Sequence, residues 1–208
     1  MASRKKTQFA LLGLLTWKPM SGYDIKKLVD VGLSHFWNEN YGQIYPTLDQ
    51  LVKDGLATRR AERKSGKRQR FVYTISRKGR KVFSEWINQP TDAPIVRNEL
   101  QLKFFLCSNL PTSASMRLIK EHQSHQWAMR EEFRHSEVMM RKAIENGEYT
   151  DELSDIFARS GSTSALRQKQ LHTFYLTLRQ GIRIIEARLD WCEEVLEYLG
   201  AFSRASNR

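Results

Sequence analysis

Residues 43–76 read QIYPTLDQLVKDGLATRRAERKSGKRQRFVYTIS, and the hydrophobic period changes in the middle of the stretch. Up to Gly55 it is helical: Ile44, Leu48, Leu51 and Val52 form one stripe, and Gln43, Tyr45, Thr47, Gln50 and Lys53 form the opposite face. Pro46 lacks an amide proton and belongs in a first turn, so of the starts available between Asn40 and Gln43 the later one is favoured. After Gly55 the period falls to two. Leu56 to Glu62 reads as one strand. Arg70 to Ile75 reads as another, with Phe71, Tyr73 and Ile75 on one side and Lys64-Ser65-Gly66-Lys67 as the turn between them.

The flanks complete a module. Upstream, Thr7 is positioned to cap a helix running to Trp17, whose stretch FALLGLL is apolar all round and belongs in a core. Pro19 stops it. Ser21 caps a second helix with Tyr23 and Asp24 in its first turn and Ile25, Leu28 and Val29 on one face. Downstream, Ser76 caps a fourth helix built on Val82, Phe83, Trp86 and Ile87. Three helices, a two-stranded hairpin and a closing helix within residues 1–90 describe a winged helix-turn-helix, in a chain expected to be mainly α.

Charge is distributed in step with this module. Residues 1–90 hold 18 basic and 7 acidic side chains, which accounts for the whole formal net charge of +11. Residues 91–208 balance 16 against 16. An excess confined to one module suits a polyanion, with nucleic acid the first candidate and an anionic membrane surface the second. Seven of the twelve residues from Arg59 to Arg70 are basic. Crowding them around one turn is self-repulsive until phosphates displace counterions. Arg63, Lys64, Lys67, Arg68 and Arg70 are therefore read as phosphate contacts. Gln43, Thr47, Gln50 and Lys53 are read as base-edge contacts of the third helix, and Tyr23, Tyr41 and Tyr45 as phosphate donors. The amino end of the second helix also favours an anion.

Other classes lose support. The eleven glycines never come closer than nine residues, which excludes Gly-rich phosphate loops and the GxSxG elbow. Cys107 and Cys192 are too few for a disulfide framework or a cysteine-based zinc site. His122 and His125 lie three apart without a third ligand, so neither a metal nor any cofactor is expected. The longest apolar run, Phe9 to Leu15, is too short to cross a bilayer. Lys5 and Lys6 precede it as in a secretion signal, but no small-residue cleavage site follows, and a cytoplasmic location is expected.

The blocks MSGYDIKKL (20–28), FWNENYGQIYPTLDQLVKDGL (36–56) and RQRFVYTISRKGRKVFSEW (68–86) together resemble the PadR family of transcriptional regulators. By matching position, Tyr23 follows the family glycine, Tyr45-Pro46 sits in the recognition helix, and Lys67 to Arg70 belong to the wing. The resemblance implies a homodimeric DNA-binding regulator, often a repressor, and in several members a response to phenolic acids or other flat aromatic compounds.

Residues 91–208 read as a helical domain for dimerisation and effector binding. Gln89 to Pro94 is a linker, Arg97 to Ser108 a short helix around Leu100, Phe104 and Phe105, and Thr112 to Glu145 a long helix ended by Asn146-Gly147. From about Ala165 to Leu199, apolar residues step alternately by four and three: Leu171, Tyr175, Leu178, Ile182, Ile185, Leu189, Cys192, Leu196 and Leu199. That is a coiled-coil seam, assigned to dimerisation. Its length resembles that of PadR-like proteins with a virulence-activator type of helical domain. Phe36, Trp37, Tyr41, Trp86, Trp127 and Met129 offer flat apolar surface for an aromatic acid, with His125 or Arg130 facing its carboxylate. Core packing is the competing reading for each. The expected function is a homodimeric repressor that leaves operator DNA on binding a small aromatic acid. The alternative is a regulator of the same fold that activates, or works through a protein partner.

Overall fold

The structure is a computed structural model that describes residues 2–32, 41–62, 70–93, 97–154 and 163–206. The turn Lys64 to Lys67, together with Arg63, Arg68, Phe36 and Trp37, lies outside the described residues, as does the side chain of Tyr41. The chain divides into two compact units, Met1–Thr91 with Tyr149–Gln170, and Asp92–Glu148 with Leu171–Arg208.

In the first unit, α1 (Ala2–Trp17) begins five residues before the expected cap. Thr7 is buried inside the helix instead, beside a core of Leu11, Leu12, Leu14 and Leu15. Helix α1 packs on α3 and α4, where Phe9 stacks on Trp86 at 4.7 Å with the rings 3° from parallel. Pro19 closes α1, and Met20–Ser21 form a short strand, β1, opposite Tyr73 and Val72. Two residues are too few for a sequence period, so this strand went unread.

Helix α2 (Gly22–Gly32) opens with a reciprocal cap. The Ser21 backbone N–H and Oγ–H both donate to Asp24 Oδ2, at 2.9 and 2.7 Å, and the Asp24 N–H donates back to Ser21 Oγ at 3.2 Å. After a 3₁₀ turn over Tyr41–Gln43, helix α3 spans Ile44–Lys53, with Pro46 in its first turn as expected. It ends in a Schellman motif: Gly55 sits at φ +70°, its N–H donates to Val52 O, and the Leu56 N–H donates to Leu51 O.

Strands β2 (Ala57–Glu62) and β3 (Arg70–Ile75) pair from Ala57↔Ile75 to Glu62↔Arg70, giving the sheet order β1-β3-β2. Tyr73 and Ile75 face the core, whereas Phe71 is exposed near the outer end of the hairpin. Ser76 then caps α4 (Arg77–Ile87), accepting from the Gly79 N–H at 3.0 Å and donating to Gly55 O at 2.7 Å. Ile87, expected in the core, is exposed at the end of that helix. The short α7 (Asp151–Leu153) belongs to the same unit.

The second unit holds α5 (Glu99–Leu106), α6 (Thr112–Asn146) and most of α8 (Ser164–Ser206). Asn98 caps α5, and Gly147 in the left-handed region closes α6. Phe105, read as a centre of α5 packing, is 80% exposed, while Phe104 meets Trp191 edge-on at 5.8 Å.

The coiled-coil seam needs a correction. Leu171, Leu178, Ile182, Ile185 and Leu189 are at most 3% exposed within a single chain, and Tyr175, Leu196 and Leu199 are half-buried. Their partner is α6, which runs antiparallel to α8, as its pairings of Arg134 with Glu186 and Glu137 with Arg179 show. A heptad seam specifies that another helix covers it, not which one. On α6 the facing row of Ile119, Gln126, Phe133 and Met140 keeps a seven-residue step, but Gln126 and the neighbouring buried Glu137 broke up its apolar signature. Gly181 lets the helices approach, since a Cβ there would come within 2.7 Å of the Phe133 ring.

Candidate nucleic-acid interface

The outer face of α3 presents Tyr45, Gln50 and Lys53 to solvent, and Gln43 is exposed in the turn that leads into it. Thr47 does not join them. It is 3% exposed, lies in the buried stripe with Ile44, Leu48 and Leu51, and its hydroxyl has no hydrogen-bond partner among the described residues. At 100° per residue, positions 44, 47, 48 and 51 share one side of a helix, so the polar chemistry of Thr47 misplaced it. The Gln50 Nε2–H donates to Asp54 Oδ1 at 2.8 Å, an exposed bond that a base edge can replace.

Tyr45 and Tyr23 are both largely exposed. The Tyr45 ring lies directly over Gly22, where an added Cβ would come within 2.4 Å of its Cε1. The glycine of the GYD block is thus the floor on which a recognition-helix tyrosine rests, a role the sequence did not reveal. The amino end of α2, expected to attract an anion, is already occupied by the Asp24 carboxylate.

Among the described residues, three hairpin cations, Arg59, Arg60 and Arg70, lie within ion-pair distance of a carboxylate, Arg60 the farthest at 3.9 Å from Glu62. Arg70 donates to Glu62 at 2.8 Å through Nε, with its Nη2 at 2.7 Å from the same oxygen. Arg59 donates to Asp49 on α3 at 3.0 Å, and its guanidinium lies 4.5 Å from the centre of the Phe71 ring. Arg59 was not singled out by sequence, because a bond between a helix and a strand ten residues on has no linear signature. It fastens the hairpin to the recognition helix. Below it, Tyr73 keeps its proton firmly: burial and the nearby Asp49 charge raise its pKa against the opposing pull of Arg59.

The aromatic residues considered for an effector divide between the units. Trp86 is engaged with Phe9 and Phe83 in the first. In the second, Trp127 is 41% exposed beneath the Arg130 guanidinium at 5.0 Å, His125 is exposed and Met129 is half-buried. Arg130 lies near Glu131 and Glu186, at 3.5 and 3.9 Å.

Comparison with known proteins agrees with the winged-helix geometry. The model of the transcriptional regulator PadR-like family matches residues 11–85, and the model of the virulence activator alpha C-terminal domain matches residues 96–200. This chain belongs to the PadR family, in its extended form. PadR-family relatives are transcriptional regulators and not enzymes. The negative transcriptional regulator PadR of Bacillus subtilis is 31% identical over 115 residues, an alignment covering 55% of this chain and 63% of that relative, slightly under two thirds of its length. A probable transcriptional regulator of Mycobacterium tuberculosis is 27% identical over 193 residues, covering 91% of this chain and 95% of the relative.

Among solved structures, Bacillus subtilis PadR in complex with operator DNA superposes with a TM-score of 0.73 at 24% identity, over 93% of this chain and 98% of that one. The same protein in complex with p-coumaric acid gives 0.68 at 23% identity, with the same coverage of each chain. The virulence activator AphA of Vibrio cholerae gives 0.67 at 25% identity, over 94% of this chain and 98% of that one. Among the described residues, no helix is long and apolar enough to cross a membrane.

Proposed function

We propose that this PadR-family chain is a homodimeric transcriptional repressor that binds operator DNA through residues 1–90 and is released by a small aromatic acid. The observation that carries the DNA reading is α3, with Gln43, Tyr45, Gln50 and Lys53 exposed, fastened by Asp49 and Arg59 to a basic hairpin. Tyr23, Tyr41, Arg63, Lys64, Lys67 and Arg68 join it as phosphate contacts, with Arg70 available once it leaves Glu62. The Bacillus subtilis relative, named a negative regulator and solved with both operator DNA and p-coumaric acid, supports repression and an aromatic effector. The cytoplasm is the matching location.

Residues 91–208 are the dimerisation and effector half of this reading. With the α8 seam filled from within the chain, the exposed apolar side chains left for a second copy include Leu102, Phe105 and Leu106 on α5, and Leu176, Tyr198 and Phe202 on α8. The three α8 residues fall within an arc of about 80°, roughly opposite the seam. A two-fold dimer sets its recognition helices about 34–36 Å apart, one turn of DNA. An effector that favours another spacing lowers operator affinity by shifting the population.

The test is fluorescence anisotropy on DNA from upstream of the gene, titrated with p-coumarate. Lys67→Glu combined with Arg68→Glu weakens binding to every sequence and flattens the salt dependence if the wing holds phosphates. Unchanged affinity removes the wing from the interface. A second reading, activation through another DNA-bound protein, draws on the virulence-activator type of the C-terminal half. DNA binding that ignores every aromatic acid favours it.

A further inference from the structure

A cavity of about 770 Å³ opens within the second unit, where the start of α5 meets α6 and α8. That is the size of a small-molecule site. Its apolar wall is made by Trp191, Ile184 and Leu100. Trp191 is held in orientation by its edge-on contact with Phe104, and Ile184 is 45% exposed, an apolar surface open to a flat body. Its polar rim carries Arg97 and Arg188. Among the described residues neither guanidinium forms an ion pair. The one acid in the lining, Glu99, is taken by Lys103 at 2.6 Å. His122 completes the rim, and burial, the Arg188 charge and His125 all act to keep it neutral.

Two permanent cations without counter-charges, beside an apolar wall, define the complementary molecule. A neutral ligand leaves both cations unanswered, and a monoanion answers one. We infer that this cavity binds a small organic dianion, either a dicarboxylate or a phosphate monoester, with a flat apolar body against Trp191 and Ile184 and its two charges at Arg97 and Arg188. The site shares no residue with the aromatic cluster considered above and goes beyond the function proposed there.

Calorimetric titration of the full-length protein with four probes that share a naphthalene body tests this: 2-naphthol, 2-naphthoate, naphthalene-2,6-dicarboxylate and 2-naphthyl phosphate. One site per chain is expected, binding at least one of the two dianions about tenfold or more tighter than 2-naphthoate. The tighter dianion identifies carboxylate or phosphate as the preferred group. Arg97→Gln and Arg188→Gln each weaken dianion binding by about tenfold and remove the preference over the monoanion, while Lys142→Gln, away from the cavity, changes nothing. Equal affinity for all four probes, indifference to both arginine changes, or no saturable heat at millimolar probe overturns the site. Anisotropy on DNA in the same samples is a separate readout, so loss of DNA binding with the dianion site intact counts against the function proposed above and not against the cavity.

Discussion

Asp49 on the recognition helix and Arg59 on the first wing strand are joined by a 3.0 Å hydrogen bond between carboxylate and guanidinium. Both side chains are more than 40% exposed, so the pair contributes only about 0–1 kcal/mol to folding. Its consequence is geometric: it fixes the angle between the two elements assigned to base edges and phosphates. Asp49→Asn is therefore expected to leave the melting temperature nearly unchanged and to lower operator affinity by about three- to tenfold, because wing contacts must then be ordered on binding. Melting curves and anisotropy on the same sample check this. An unaltered affinity means the hairpin is positioned without the bond.

Gly22 and Tyr45 give a sharper separation of stability from binding. A Cβ at position 22 collides with the Tyr45 ring, but the ring is exposed and swings away at little cost. Gly22→Ala should thus weaken DNA binding while barely changing stability. In a Tyr45→Ala background the same change should add nothing, since the residue it displaces is gone. Additive losses in the double-mutant cycle mean that Gly22 acts through the start of α2 instead.

Gly79 makes the opposite case. Its Cβ would come within 2.1 Å of the Leu56 carbonyl oxygen, which is backbone and itself accepts the Ser76 N–H. Nothing there can swing aside. Gly79→Ala is expected to cost about 1–3 kcal/mol by forcing α4 off the end of α3, visible as a lower midpoint in urea denaturation. A neutral result shows that α4 shifts without loss.

These two glycines also mark what a linear reading captures. The caps at Ser21 and Ser76, the Gly55 stop and the period change after it are local, so each was legible and places its element. Contacts between elements are not local. Arg59–Asp49, Gly22–Tyr45 and the strand Met20–Ser21 have no signature in the sequence. Thr47 and the α8 seam were misread for a related reason: periodicity shows that a residue lies on a buried or an exposed side, while side-chain chemistry and helix partners were inferred. In the candidate site, four of the five positions read as outward, Gln43, Tyr45, Gln50 and Lys53, are exposed, whereas the bond that ties the wing to α3 was not legible.

The last prediction concerns Glu137, which is 3% exposed at the α6–α8 interface. It accepts from Arg179 at 2.6 Å and from Arg134 at 3.0 Å, with Arg141 at 3.7 Å, while Arg134 also donates to Glu186. Burial by itself raises a carboxyl pKa, but the hydrogen bonds from Arg179 and Arg134 and their charges outweigh it, and the Glu137 pKa is lowered. In the unfolded chain the group titrates near 4.3. A group whose folded pKa lies below its unfolded value binds fewer protons when folded. Its stabilisation is therefore fully present above about pH 4.3 and is lost as pH falls through the folded value. The second unit should lose stability on acidification below about pH 4, and Glu137→Gln should both lower stability at pH 7 by about 1–3 kcal/mol and flatten that acid limb. The partners Arg134 and Arg179 are more than 30% exposed and can turn to water, which keeps the cost below that of a fully buried pair. Thermal melts of both proteins between pH 7 and 3 decide the matter. A variant whose acid limb is as steep as that of the parent places the titrating group elsewhere.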